Sequence, residues 1–107
     1  MMAYTDTETL LTMLESSLEL ITEYMDAESK AKKETELTWY IESAKTFIET
    51  EGITLEDTAG DSQLIVMYAK WLYEKRNVSE SRDSTNAMPR SLRWNLNNRL
   101  FREKVNE

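Results

Sequence analysis

The sequence predicts an all-α fold, a small helical bundle of about four helices, on three observations. The 107 residues contain only two glycines and one proline, whereas the hairpins of a sandwich or barrel need a turn every ten or so residues. Apolar residues recur at helical spacing along most of the chain. The one run of β-type residues, Leu64 to Tyr68, has no partner strand in the sequence and continues through Glu74, Lys75 and Arg76 in a helical pattern. The length suits a single domain, residues 1–107, with a radius of gyration of roughly 13 Å.

The first helix is expected over about residues 5–25. Thr5 and Glu8 have the spacing of a capping box at its start. Leu10, Leu14, Leu18, Ile21 and Tyr24 fall on one side, widened by Leu11, Met13 and Leu20, which makes this a core helix. An unbroken helix through residues 7–51 would be unusual in so small a domain, so a break is placed in the polar stretch Asp26 to Lys33. There Lys30, Lys32 and Lys33 read as a solvated turn rather than a seat for an acidic partner. The second helix, about residues 28–51, buries Leu37, Tyr40, Ile41, Ala44, Phe47 and Ile48 and stops at Gly52. Trp39 points the other way, among Glu42, Lys45 and Thr46, which suits a contact with another chain or packing under a neighbouring loop.

Residues 53–60 read as a loop. Asp57 and Asp61 lie at a turn and a helix start, where capping accounts for them better than a metal or acid/base pair. Asp61 is expected to open the third helix, about residues 62–77, whose apolar positions cover about 260° of its circumference. Two other helices in a domain this size hide one side of it, and a neighbouring subunit is expected to cover the other. The alternative is a monomer in which the last helix closes over the third. Residues 77–88 read as a long mobile loop. Met88 and Pro89 then lead into a final helix, about residues 89–104, with Leu92, Leu96 and Leu100 on one face and Trp94, Phe101 and Val105 on another.

Cysteine and histidine are absent, which removes the usual zinc sites, Cys or His nucleophiles and the Ser-His-Asp triad. The sequence contains no glycine-rich phosphate cradle and no metal-ligand cluster. No catalytic residue, metal or cofactor is expected, and the chain is not read as an enzyme. The N-terminus lacks the basic start and apolar run of a signal peptide, and the longest apolar run, Leu64 to Ala69, cannot span a membrane. Without thiols a reducing cytoplasm is permitted.

The net charge of −7 is unevenly spread, with 15 acids against four lysines in residues 1–61 and nine basic against five acidic groups in residues 62–107. Such a chain can attract its own copies head to tail. Affinity for bare duplex DNA is disfavoured, because it depends on a concentrated basic surface. Arg90 and Arg93 lie on one flank of the last helix and Arg99 and Arg102 on the other, so they form no single groove-facing stripe.

Two segments, Asp61 to Arg76 and Met88-Pro89-Arg90-Ser91-Leu92, resemble the head-tail connector proteins of tailed bacteriophages and prophages. In that family a helix with a Trp-Tyr-x-x-Arg-like ending precedes a polar loop, a Pro-led turn and a short Leu-rich helix. The segment Tyr40 to Glu49 resembles the family's second helix, so the likeness covers nearly the whole chain. Here the aromatic pair is split as Trp71-Leu72-Tyr73, and Leu96-Asn97-Asn98-Arg99 stands where a Gln-Leu-Arg ending is common.

The resemblance implies a structural virion protein at the head-tail interface, made in the host bacterial cytoplasm. It implies a homo-oligomeric ring of about twelve copies under the portal protein. Such a ring extends the DNA channel, encloses DNA without sequence-specific binding, and gives the stopper or tail-completion protein a docking surface. The residues expected at subunit or portal interfaces are Trp39, Tyr68, Trp71, Tyr73, Arg76, Met88, Arg90, Arg93, Trp94, Arg99 and Phe101. A phage-encoded helical regulator that binds DNA or another protein is the alternative, and a soluble adaptor that captures a partner helix is a third reading.

Overall fold

The computed structural model describes residues 4–76 and 87–105. They form α1 (Thr7–Ser17), a single 3₁₀ turn (Thr22–Tyr24), α2 (Ala27–Thr50), α3 (Ala59–Lys75) and α4 (Arg90–Val105). No strand occurs among the described residues, and the fold is the small all-α bundle that the shortage of turn formers predicts. Of the loop expected over residues 77–88, residues 77–86 lie outside the described residues, Asn77 at the expected end of the third helix among them.

The first helix starts and stops elsewhere than its pattern suggests. Asp6, with extended backbone, caps α1 by accepting the N–H of Thr9 at 2.8 Å. Thr5 is not the cap, because its N–H and hydroxyl both donate to Asp57 Oδ1, at 2.8 and 2.9 Å. Asp57 therefore ties the start of the chain to the α2–α3 loop and caps no helix. At the other end α1 stops at Ser17, not near residue 25. Glu19 adopts a left-handed φ of 59°, held by Glu19 N–H to Ser16 O and Leu20 N–H to Glu15 O, both 3.0 Å. The turn swings Leu18 and Leu20 against the core and leaves Ile21 and Tyr24, expected inside, exposed to 60% and 83%.

The break between the first two helices thus spans residues 18–26 rather than 26–33. Asp26 caps α2 through Ser29 N–H at 2.7 Å, so Lys30, Lys32 and Lys33 belong to the first turns of that helix and not to a solvated turn. Lys33 is partly buried and donates to Glu36 and to the Tyr73 hydroxyl, both at 2.9 Å. Leu37, Ile41, Ala44 and Ile48 form the buried stripe of α2. Phe47, expected on that stripe, lies at its edge and is half exposed. Gly52, with φ 108°, follows the helix end as expected, a conformation that costs an L-residue with a Cβ dearly.

Thr58, not Asp61, caps α3, accepting the N–H of Asp61 at 3.1 Å. The helix lies at the centre of the bundle, packed most extensively on α2 and also on α1 and α4. This arrangement overturns the expectation that α3 needs cover from a neighbouring subunit. Leu64, Ile65, Val66, Tyr68, Ala69, Leu72 and Tyr73 are each at most 9% exposed within the single chain. Three helices, not two, surround it. Each large apolar side chain so buried contributes about 1.5–3 kcal/mol, which makes α3 the centre of the fold rather than its exposed flank.

The last helix docks through Leu92 and Leu96, both buried, with Leu100 partly buried beside them. Pro89 stands just ahead of its first residue and its carbonyl accepts the N–H of Arg93 at 3.0 Å. Opposite charges reinforce the docking. Arg93 meets Glu51 at 2.9 and 3.1 Å, and Arg99 meets Asp61 at 3.2 and 2.9 Å. Much of the attraction between the acidic and basic parts of the sequence is therefore satisfied inside one chain.

Candidate functional site

The eleven residues expected at interfaces divide into two sets. Tyr68 and Tyr73 are buried, and Trp71 and Met88 are partly buried against the same core. Tyr68 and Tyr73 are core side chains, which corrects the expectation that they cover a seam between subunits, while Trp71 and Met88 pack against that core and keep part of their surface outside it. Arg76 lies 3.6 Å from the centre of the Tyr73 ring and donates to the Tyr73 carbonyl at 2.6 Å. Arg93 is paired with Glu51 and Arg99 with Asp61. The outward set is Trp39, Arg90, Trp94 and Phe101, with Trp39, Trp94 and Phe101 exposed to 63%, 66% and 67%.

Trp39 is held outward by a run of rings. It meets Tyr40 edge-on at 4.9 Å, and Tyr40 meets the buried Tyr73 edge-on at 5.7 Å. A second run packs Phe47 against Tyr68 at 6.0 Å and Tyr68 against Trp71 at 5.6 Å, with the Lys75 ammonium 4.1 Å above the Trp71 ring. Such contacts are worth about 0.5–1.5 kcal/mol each beyond burial. They fix Trp39 and Phe47 in place, as an interface anchor requires. Between them Glu42, Ser43 and Thr46 line a shallow depression of about 230 Å³.

The outer face of α4 is the second surface. At about 100° per residue Trp94, Phe101 and Val105 fall in one narrow stripe, and all three are exposed. Arg90, Arg102 and Lys104 flank them, also exposed and without an ion-pair partner among the described residues. The one acid of this helix, Glu103, turns inward to Arg99 at 3.1 Å and accepts the N–H of Thr54 at 2.6 Å. Beside it an open groove of about 700 Å³ runs between α3 and α4, lined by Gln63, Leu64, Met67, Asn95, Asn98 and Arg102 among others.

Sequence reasoning missed a third surface, the corner between α1 and α2. Ile21 and Tyr24 project there with Glu19 and Glu23, all four exposed. The helical spacing of Ile21 and Tyr24 with Leu10 and Leu14 conceals the turn, and no glycine marks it, because Glu19 itself takes the left-handed conformation. The one available signal is charge. No lysine or arginine occurs before Lys30, while seven acids do.

No group of acids that could hold a metal ion occurs among the described residues, and no helix among them is long and apolar enough to cross a membrane. Ionisable groups are perturbed by structural contacts. Hydrogen bonds to Asp61 raise the Arg99 guanidinium further above its ordinary value, against the opposing effect of burial. Burial, with Glu51 nearby, pushes the Tyr68 phenol up. The Tyr73 hydroxyl and Glu36 raise the Lys33 ammonium.

No known protein family, curated protein or solved structure matches this chain. The likeness to head-tail connectors therefore stands on the segments quoted from the sequence. Of those, Tyr40 to Glu49 lies on α2, Asp61 to Lys75 on α3, and Arg90 to Leu92 begins α4.

Proposed function

We propose that this chain is a non-catalytic structural subunit that joins neighbouring proteins through outward-held aromatic side chains, in the role of a phage head-tail connector. The observation that carries the reading is what remains after the core is complete. A chain that buries its own apolar residues still exposes Trp39 on α2 and Trp94 and Phe101 on α4 to more than 60% each. Tryptophan and arginine are the residue types most enriched at binding hot spots, and α4 presents Arg90 and Arg102 beside Trp94 and Phe101. The resemblance then supplies the setting, a ring under the portal that carries DNA onward to a stopper or tail. A net charge of −7 suits a wall that DNA must pass without sticking, since like charges repel phosphate.

The test is to mix the purified chain with portal particles of the genome that encodes it and image the product by negative stain. A closed annulus beneath the portal is expected. Loss of the annulus is expected in Trp94→Ala with Phe101→Ala, at an unchanged melting temperature. Portals that stay bare with the wild-type chain overturn the proposal.

A DNA-binding regulator is the second reading, favoured by the three basic residues on α4 that have no ion-pair partner among the described residues. It predicts micromolar, salt-sensitive binding to random duplex at low ionic strength. The interleaving of those residues with Trp94, Phe101 and Val105 argues against it, because phosphate contacts need no such apolar stripe.

A further inference from the structure

We infer that copies of this chain associate head to tail, the α1–α2 corner of one copy seating on the outer face of α4 of the next. The inference rests on the reading of exposed aromatic and aliphatic side chains as seats for neighbours, and it assigns which seat takes which. Ile21 and Tyr24 give the corner an apolar tip, exposed to 60% and 83%. Glu19 and Glu23 flank it, with no ion-pair partner among the described residues. The nearest base along the chain is Lys30, at the end of the first turn of α2. On α4 the apolar stripe of Trp94, Phe101 and Val105 is flanked by Arg90, Arg102 and Lys104, likewise without an ion-pair partner among the described residues. One patch is apolar and acidic, the other apolar and basic, and the charges of neither are ion-paired among the described residues.

This pattern decides among the possible occupants. Pairing α4 with α4, or corner with corner, would bring like charges together, which disfavours two-fold symmetric association. The Trp39 face of α2 is a poorer mate for α4, because Lys45 lies 3.6 Å from Glu42 and offsets its charge. The corner leads out of a hydrogen-bonded turn, with Glu19 N–H on Ser16 O and Leu20 N–H on Glu15 O, and Leu18 and Leu20 pack against the core just before Ile21 and Tyr24. Two different patches on one chain make a heterologous contact, which closes into a ring or runs on as a filament according to the rotation per copy.

The experiment uses two variants altered only at exposed positions. Ile21→Asp with Tyr24→Asp spoils the corner and leaves α4 intact, while Trp94→Asp with Phe101→Asp spoils α4 and leaves the corner intact. Sedimentation velocity at low salt should show wild-type oligomers that grow with concentration and shrink at high salt. Each variant alone should be monomeric with native helicity, and an equimolar mixture should stop at the dimer, since only one good corner meets one good α4. Glu19→Lys with Glu23→Lys should weaken wild-type association by about tenfold or more, and Arg90→Glu with Arg102→Glu in the partner copy should recover part of that loss. A wild-type chain that stays monomeric, a corner variant that associates like wild type, or a mixture that forms no dimer overturns the inference. Head-to-tail dimers with bare portals would sink the connector reading alone. Annuli built by the corner variant would sink this inference and leave the connector reading standing.

Discussion

Arg99 on α4 grips Asp61 on α3 with two parallel contacts, Nε to Oδ1 at 3.2 Å and Nη2 to Oδ2 at 2.9 Å, across 38 positions of sequence. Their side chains are 11% and 6% exposed, so the pair is nearly dry. Asp61 Oδ2 also accepts the N–H of Glu56 at 2.6 Å, and Arg99 Nη2 donates to the Thr54 carbonyl at 2.7 Å. The residues that could be taken for a neighbour contact and an acid/base carboxylate instead fasten the last helix to the centre of the bundle. Removing one partner of such a buried pair typically costs about 3–5 kcal/mol, because the other charge is left unpaired. Arg99→Leu should therefore destabilise the chain by about 3 kcal/mol. The double change Asp61→Leu with Arg99→Leu should cost less than the sum of the single changes, as a denaturant double-mutant cycle would read. Additive losses would mean that the two groups act separately.

The orientation of α4 can be tested on residues two positions apart. Leu96 is fully buried, whereas Trp94 is 66% exposed. Leu96→Ala should lower unfolding free energy by about 2–5 kcal/mol. Trp94→Ala should stay within about 0.5 kcal/mol of wild type. Urea unfolding followed by circular dichroism separates the two, and a large loss in the tryptophan variant would place that ring in the core.

The helices were legible in the sequence where apolar spacing and a terminator coincide, as in α2 with Leu37, Ile41, Ala44 and Ile48 followed by Gly52. They were illegible where spacing continues through a turn. Leu18, Ile21 and Tyr24 keep the period of α1, yet a left-handed Glu19 and a cap at Asp26 end one helix and start another between them. Caps misled for a related reason. Thr5 and Asp61 have the right chemistry and the right positions, but each is committed to a distant partner, Asp57 or Arg99, which local spacing does not reveal. The outward faces of Trp39 and of Trp94, Phe101 and Val105 could be read directly, because each opposes a clear core stripe. The burial of α3 could not be read, since apolar residues around a helix say that it is covered and not by which chain.

The three tryptophans give an optical check on this division. Trp39 and Trp94 face solvent, while Trp71 is partly buried under Lys75 and against Tyr68. Acrylamide should quench most of the fluorescence of the native chain, and the residual, blue-shifted emission should vanish in Trp71→Phe but persist in Trp39→Phe. If Trp71→Phe removes readily quenched emission instead, this ring is at the surface and its assignment to the core is wrong.

The pH dependence of stability should carry the mark of Glu15. Its carboxyl is raised above 4.5 chiefly by burial and also by Glu34, with Lys30 opposing. Its Oε2 is shielded from solvent and has no hydrogen-bond partner among the described residues. A carboxyl whose folded pKa lies above its unfolded value keeps its proton longer in the native state, so stability falls as pH rises from the unfolded through the folded pKa. Asp6, Asp26 and Asp57 act in the opposite sense. Hydrogen bonds from Thr9, Ser29 and Thr5 lower their pKa values below 3.8, and the stability they contribute is lost as pH falls through those lowered values. Glu15→Gln should consequently raise the melting temperature at neutral pH, where the wild-type carboxylate is charged. The gain should shrink as pH falls and vanish well below 4.5, where Glu15 is protonated in both states. A gain that persists undiminished in acid would show that the amide improves packing and that the buried charge is not the cause.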